Sequence, residues 1–261
     1  MTSRLSTDLE TLASRRRALG LLGIGIGGLA AACNDTMAAR AASGEGSCLA
    51  TPTEIRGPFP ADGTNGGRET VSVFGKEGLL RSDIRDSFAG MAGRADGIPL
   101  EIELRLVDAR DGCAPLAGHA LYLWQCDALG DYSLYNRRDA NYLRGMQESD
   151  AGGVVRFNSI LPGCYGGRCP HLHFEVFSSL AAATHGRNSR PVSQLAFPTA
   201  ECERAYADTT RYGASLRNLG RWPMERDWMF AGNSPAEIAA QTVMLSGSPA
   251  AGYRGTATIG L

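Results

Sequence analysis

The sequence predicts a mainly β protein: a single β-sandwich domain with long loops, short helices and an irregular C-terminal extension, spanning 48–261. Two observations carry this. Short apolar segments with period-two alternation recur between turn-forming residues, the pattern of strands that bury one face. The 33 glycines and 12 prolines of the 261-residue chain are dispersed, which suits many turns better than a helical bundle.

The elements follow in order. "GIPLEIELRLVDA" (97–109) alternates cleanly, with Ile102, Leu104 and Leu106 on one face and Glu101, Glu103 and Arg105 on the other. "HALYLWQCDALGDYSLY" (119–135) reads as a strand, a turn at Leu129-Gly130-Asp131, and a return strand. "GGVVRFNSILPGCYGG" (152–167) reads as a strand closed by a Pro-Gly turn. "HLHFEVF" (171–177) and "SQLAF" (193–197) supply two more. In the last third, Ser234 is placed to cap a short helix with Pro235 at its first position. "TVMLSG" and "TATIGL" read as late strands.

Residues 1–33 differ from the rest. Arg15-Arg16-Arg17 precede an uncharged run from Ala18 to Ala32, too short and Gly-rich for a spanning helix of about 20 residues. This is the pattern of a twin-arginine-type export signal, and "LAAAC" ending at Cys33 resembles a lipoprotein cleavage box with Ala30 where Leu is usual. The expectation is an exported protein, periplasmic or at the cell surface, with two alternatives open: lipid anchoring at Cys33 as its membrane contact, or cleavage further on near "AARAAS" (38–43). Residues 34–47 read as a flexible leader. A net charge of −1 implies no attraction to nucleic acid or acidic lipid. Lys76 is the single lysine among 26 basic residues, and the arginines form no stripe. Beyond Cys33, six cysteines in an exported chain suggest disulfides. Cys164 and Cys169 are close enough in sequence to pair or to bind metal, and Cys169 would then fix the strand that follows it.

Two of the four histidines, His171 and His173, stand in "GRCPHLHFEVF" (167–177). On a strand they share a face about 6–7 Å apart, within reach of one ion, while Leu172, Phe174 and Val176 face the other way. Three readings stay open: buried structural residues, a solvated sheet face, or half of a metal site. Glu175 shares the face further along, and His119 and His185 read as surface or hydrogen-bonded residues. Tyr132, after the Gly130-Asp131 turn, and Tyr165, after Pro162-Gly163, are candidate oxygen donors. Phenolate is a hard anion suited to Fe(III) rather than to zinc.

The ordered set "GPFP", "SDIR", "LWQCDALGDYSLY", "YLRGMQESDAGGVVRFNSILPGCY", "GRCPHLHFEV" and "SQLAF" resembles the intradiol ring-cleavage dioxygenases, the group of the protocatechuate and catechol enzymes. The resemblance covers about 48–200. It implies a non-haem Fe(III) ligated by Tyr132, Tyr165, His171 and His173, with Tyr165 the ligand that leaves when substrate binds. It implies catalytic roles for Arg168, Gln194 and Tyr165, and a substrate wall of Arg56, Gly57, Pro58 and Phe59. The partners implied are a small aromatic diol and O2, and the product a muconate-type dicarboxylate. Two departures matter. Only Gly166 and Gly167 separate Tyr165 from Arg168, where the better-known enzymes have a longer loop, and no helical dimerisation segment precedes the domain. Oligomeric state is left open. A non-catalytic ligand- or polysaccharide-binding β-sandwich with a relic iron site, and a zinc hydrolase using the two histidines, are the alternative readings.

Overall fold

The computed structural model describes residues 48–65 and 70–261. The export segment, Cys33 and the leader lie outside the described residues. Among the described residues nine strands build two sheets. One contains β1 (Pro99–Asp108), β2 (Ala114–Pro115), β5 (Val154–Ile160), β8 (Met244–Ser248) and β9 (Gly252–Gly260). The other has the order β4 (Arg144–Glu148), β3 (Ala120–Trp124), β6 (His171–Phe177), β7 (Val192–Ala196). All pairings are antiparallel except β1 with β9, which run parallel from Leu100↔Tyr253 to Val107↔Gly260.

The inner faces meet in one core. Leu100, Ile102, Leu104 and Leu106 of β1 pack with Leu121 and Leu123 of β3, and with Leu172, Phe174 and Val176 of β6. The alternation read from β1 is its burial pattern, β6 is buried on both faces, and the sandwich is as expected. One expectation fails. No strand returns at 132–135. Those residues form tight turns, and β3 pairs instead with Arg144–Glu148. β4 reads "RGMQE", with a single strongly apolar residue, so its pattern is masked.

Between β7 and β8 the chain forms α1 (Thr199–Tyr206), α2 (Thr209–Tyr212), α3 (Ser215–Arg221) and α4 (Pro235–Ala240). The Ser234 cap is present as a full capping box with Glu237. β9 then returns to the middle of the first sheet. Among the described residues no helix is long and apolar enough to cross a membrane.

Cys48 and Cys113 form a disulfide, joining the start of the described chain to the β1–β2 turn. Cys126, Cys164, Cys169 and Cys202 are free and buried. The expected Cys164–Cys169 bond is thus absent. The Cys169 backbone is held by Asp227 instead, which accepts its N–H at 2.7 Å.

What positions the site is the outer face of the second sheet. Ala120, Tyr122 and Trp124 of β3 lie there, buried with Ala61, Val73, Leu79, Phe88 and Tyr132. Loops from the 48–95 region cover this face, so residues that would sit on a solvated sheet are enclosed.

Candidate metal centre

His171, His173 and Glu175 project from the covered face of β6, and all three are buried. Register sets their neighbours. Trp124 and Gln194 flank His173 on the adjacent strands, and the Trp124 ring stacks on His173 at 4.8 Å with 7° between planes. The imidazole is clamped on one side by that indole. On another side it meets Gly57, where a Cβ would come within 3.3 Å of Cε1.

The two tyrosines arrive on touching turns. Gly163 packs so closely on the Ala128 carbonyl that a Cβ has no room, and a Cβ on Gly130 would meet Tyr165. These two close approaches draw the turn before Tyr132 against the turn before Tyr165. The rings end 5.9 Å apart.

Four donor atoms then converge. Tyr132 Oη lies 3.2 Å from His173 Nε2, and Tyr165 Oη 3.2 Å from His171 Nε2. The two Nε2 atoms are 3.1 Å apart. Donors about 2.0 Å from a common centre at tetrahedral angles stand about 3.3 Å apart, so this spacing fits one ion. The His171 Nδ1–H donates to the Cys169 carbonyl at 2.7 Å, which leaves its Nε2 lone pair aimed inward. That lone pair faces the other Nε2, a contact that a shared cation relieves. Among the described residues no group of three or more His, Cys, Asp or Glu could hold a metal. A zinc-type site built on the histidine pair therefore lacks its further ligands, and the phenols are the partners available.

Residues 81–193 match the dioxygenase family model Dioxygenase_C. Over that stretch the chain is similar to the dioxygenases of this family model. The fold of the chain is similar to that of an intradiol ring-cleavage dioxygenase from Tetranychus urticae. The TM-score is 0.61 and the identity 23%, over 82% of this chain and 94% of that one. A second dioxygenase crystal structure matches at TM-score 0.60 and 22% identity, with the same coverage. The dioxygenase domain of a carbohydrate-binding fusion from Streptomyces sp. SirexAA-E matches at TM-score 0.48 and 22% identity, over 82% and 98%. No curated protein matches.

The electrostatics of the centre suit a cation. Burial, then the neighbouring Arg168, lowers His171 to about 3. Burial, then His171, holds His173 well below the ordinary range. Both are thus neutral, the ligating form. Burial pushes Tyr132 and Tyr165 above the ordinary phenol range, so phenolate forms here only beside positive charge. Tyr132 is 1% exposed; Tyr165 is partly open to solvent.

Arg168 sits beside the four donors, its Nη1 3.5 Å from His171 Nε2. Its Nη2 donates to Gln194 Oε1 at 2.6 Å, and Gln194 Nε2 donates to the Ile55 carbonyl at 3.0 Å. Gln194 thereby ties the guanidinium to the 55–59 loop. The Arg168 Nε donates to Asp227 Oδ2 and Oδ1 at 2.8 and 3.0 Å. Burial opposes the charge of Arg168, but Asp227 and the other groups beside it together outweigh burial and the guanidinium stays protonated.

The substrate-wall residues divide. Gly57 backs His173, Pro58 is exposed, and Phe59 packs 5.0 Å from the Tyr132 ring. Arg56 is committed elsewhere: its Nε meets Glu175 at 2.6 Å and Asp62 at 3.1 Å, and its Nη2 donates to Ser189. It therefore braces the loop from behind rather than facing the donors. His119 and His185 are hydrogen-bonded to nearby backbone, away from the centre.

Sequence reasoning missed two supports. Asp227 is fully buried and also accepts the Met229 N–H at 2.9 Å. An acid set against three apolar residues in "DWMF" was its only trace. Arg144 is likewise fully buried, and it binds the Phe59 and Pro60 carbonyls and the Ser133 hydroxyl and carbonyl. It pins the wall loop to the Tyr132 turn. An arginine beginning the masked strand β4 gave no warning of this.

Proposed function

We propose that the protein is an Fe(III)-dependent intradiol dioxygenase. It inserts both atoms of O2 between the hydroxyl-bearing carbons of a catechol-type aromatic to give a muconate-type dicarboxylate. The observation that carries this is the convergence of two phenols and two neutral imidazoles at 3.1–3.2 Å. Tyr132, Tyr165, His171 and His173 would hold the ion. When bound, a ferric ion supplies Lewis acidity to a diol and accepts electron density from its ring.

The chain's own groups do the rest. A diol must shed protons to bind as an anion, and the oxygen of Tyr165, the more exposed phenol, is the acceptor within reach. Tyr132, packed against Phe59 and fully buried, has no such freedom. The Arg168 guanidinium lies beside the donors with its charge fixed by Asp227, so it stabilises negative charge that develops on the ring oxygens. Gln194 holds the guanidinium plane, and Gly57, Pro58 and Phe59 wall the ring. The reading of Arg15–Ala32 as an export signal supports a site of action outside the cytoplasm, whether the chain is lipid-anchored at Cys33 or cleaved further on.

The test is colour and oxygen uptake. Protein loaded with Fe(III) is expected to absorb broadly in the visible as a ferric tyrosinate. It is expected to consume O2 with at least one of catechol, protocatechuate, hydroxyquinol or a larger diol. Tyr132→Phe should lose both properties. Unchanged absorption would sink the ligand assignment; colour without oxygen uptake on any diol would leave a binding protein.

A further inference from the structure

Trp228 lies next to the Arg168 anchor, and nothing in the fold requires its indole to be exposed. Its backbone is fixed on both sides. Asp227 is locked into the buried pair with Arg168, and Met229 and Phe230 are buried against Cys169 and Ala196. Yet the Trp228 side chain is 41% exposed. One part of the ring is covered by the Arg168 guanidinium, whose Cζ lies 5.3 Å from its centroid. The guanidinium in turn reaches the His171 donor at 3.5 Å. An ordered aromatic surface therefore begins one side chain away from the four donors.

A second observation concerns space. The Tyr165–Arg168 connection is only Gly166 and Gly167, and a side-chain atom added at either would meet nothing within 4 Å. The space beside the short link between Tyr165 and Arg168 is therefore open. A single-ring diol held at the donors would leave this open stretch and the free indole surface uncovered. A diol bearing a second aromatic ring would cover both.

We infer that Trp228 is a specificity-determining wall, and that the substrate class is catechols carrying a further aromatic ring, stacked on the indole across the Gly166–Gly167 opening. This rests on the ring-cleavage reading above. Offset or edge-on aromatic contact contributes about 0.5–1.5 kcal/mol beyond area, which is roughly two- to tenfold in affinity.

The experiment compares catechol with 4-phenylcatechol on the full-length protein, by calorimetric binding and by kcat/KM. In wild type, 4-phenylcatechol is expected to bind more tightly than catechol. Trp228→Ala is expected to weaken 4-phenylcatechol by about two- to tenfold more than catechol, and Trp228→Phe to recover most of the difference. Gly166→Leu, which fills the opening, is expected to discriminate against 4-phenylcatechol in the same direction. Equal losses for both diols in Trp228→Ala, or no loss for either, overturn the inference and leave the ring-cleavage reading standing. Wild-type protein that binds neither diol overturns both.

Discussion

Replacing Asp227 by Asn should separate the charge of this residue from its shape. Both carboxylate oxygens are in use. Oδ1 accepts from Arg168 Nε and from the Met229 N–H, and Oδ2 accepts from Arg168 Nε and from the Cys169 N–H. An amide nitrogen at either oxygen position faces an N–H donor and loses that bond. The guanidinium, at 7% exposure, loses its counter-charge. Breaking a buried ion pair from one side costs about 3–5 kcal/mol. For a domain of this size that lowers the melting temperature by roughly 6–20 °C. Urea or thermal denaturation by circular dichroism reads this directly. Adding Arg168→Met to Asp227→Asn removes the stranded charge, so the double variant should be more stable than the sum of the two single losses predicts. A single variant melting within 2 °C of wild type would refute the buried-pair reasoning, as would strict additivity.

Three further predictions concern the frame around the centre. Gly163→Ala drives a Cβ into the Ala128 carbonyl and should cost about 1–3 kcal/mol. It should also loosen Fe(III) binding, because it pushes apart the turns carrying Tyr132 and Tyr165; metal retention during dialysis against a chelator is the measure. Burial, then Asp62, raises Glu175 to about 9 from 4.5. The folded state thus holds a proton that the unfolded state has lost between these values, and this contribution to stability declines as pH rises through that window. Glu175→Gln removes the slope, up to about 1.4 kcal/mol per pH unit; a stability difference from wild type that is constant between pH 6 and 9 would show the proton is absent. Cys48→Ser opens a loop of 65 residues and should cost about 4 kcal/mol, an effect that reductant reproduces in wild type and does not add to in the variant.

The sandwich was legible because its strands obey simple alternation. β1 and β6 bury the residues their period-two pattern marks, and the Ser234-Pro235 start of α4 is local chemistry that tertiary context leaves alone. The failures have a common cause. β4 and the missing return at 132–135 are decided by which edge of β3 is available, and alternation within one segment does not encode that. The site behaves likewise. His171 and His173 on one face follow from strand geometry, and the resemblance gave Tyr132 and Tyr165. Their convergence, however, depends on the contacts of Gly130 and Gly163 with the facing turn, which join positions 35 residues apart. Asp227 and Arg144 were invisible because a buried charge is written in its partners, and those partners are distant in the chain.

The parallel pairing of β9 with β1 has a consequence for how the protein is made. Residues 252–260 leave the ribosome after every other strand of the two sheets, and they fill the slot between β1 and β8. Until then β1 offers one bare edge, with Leu100, Ile102 and Leu104 awaiting the strand that completes their sheet. Contacts of such long sequence separation also slow folding. The domain therefore closes only once β9 has emerged, and a chain cut before Gly252 would display an unpaired β edge, a template for aggregation.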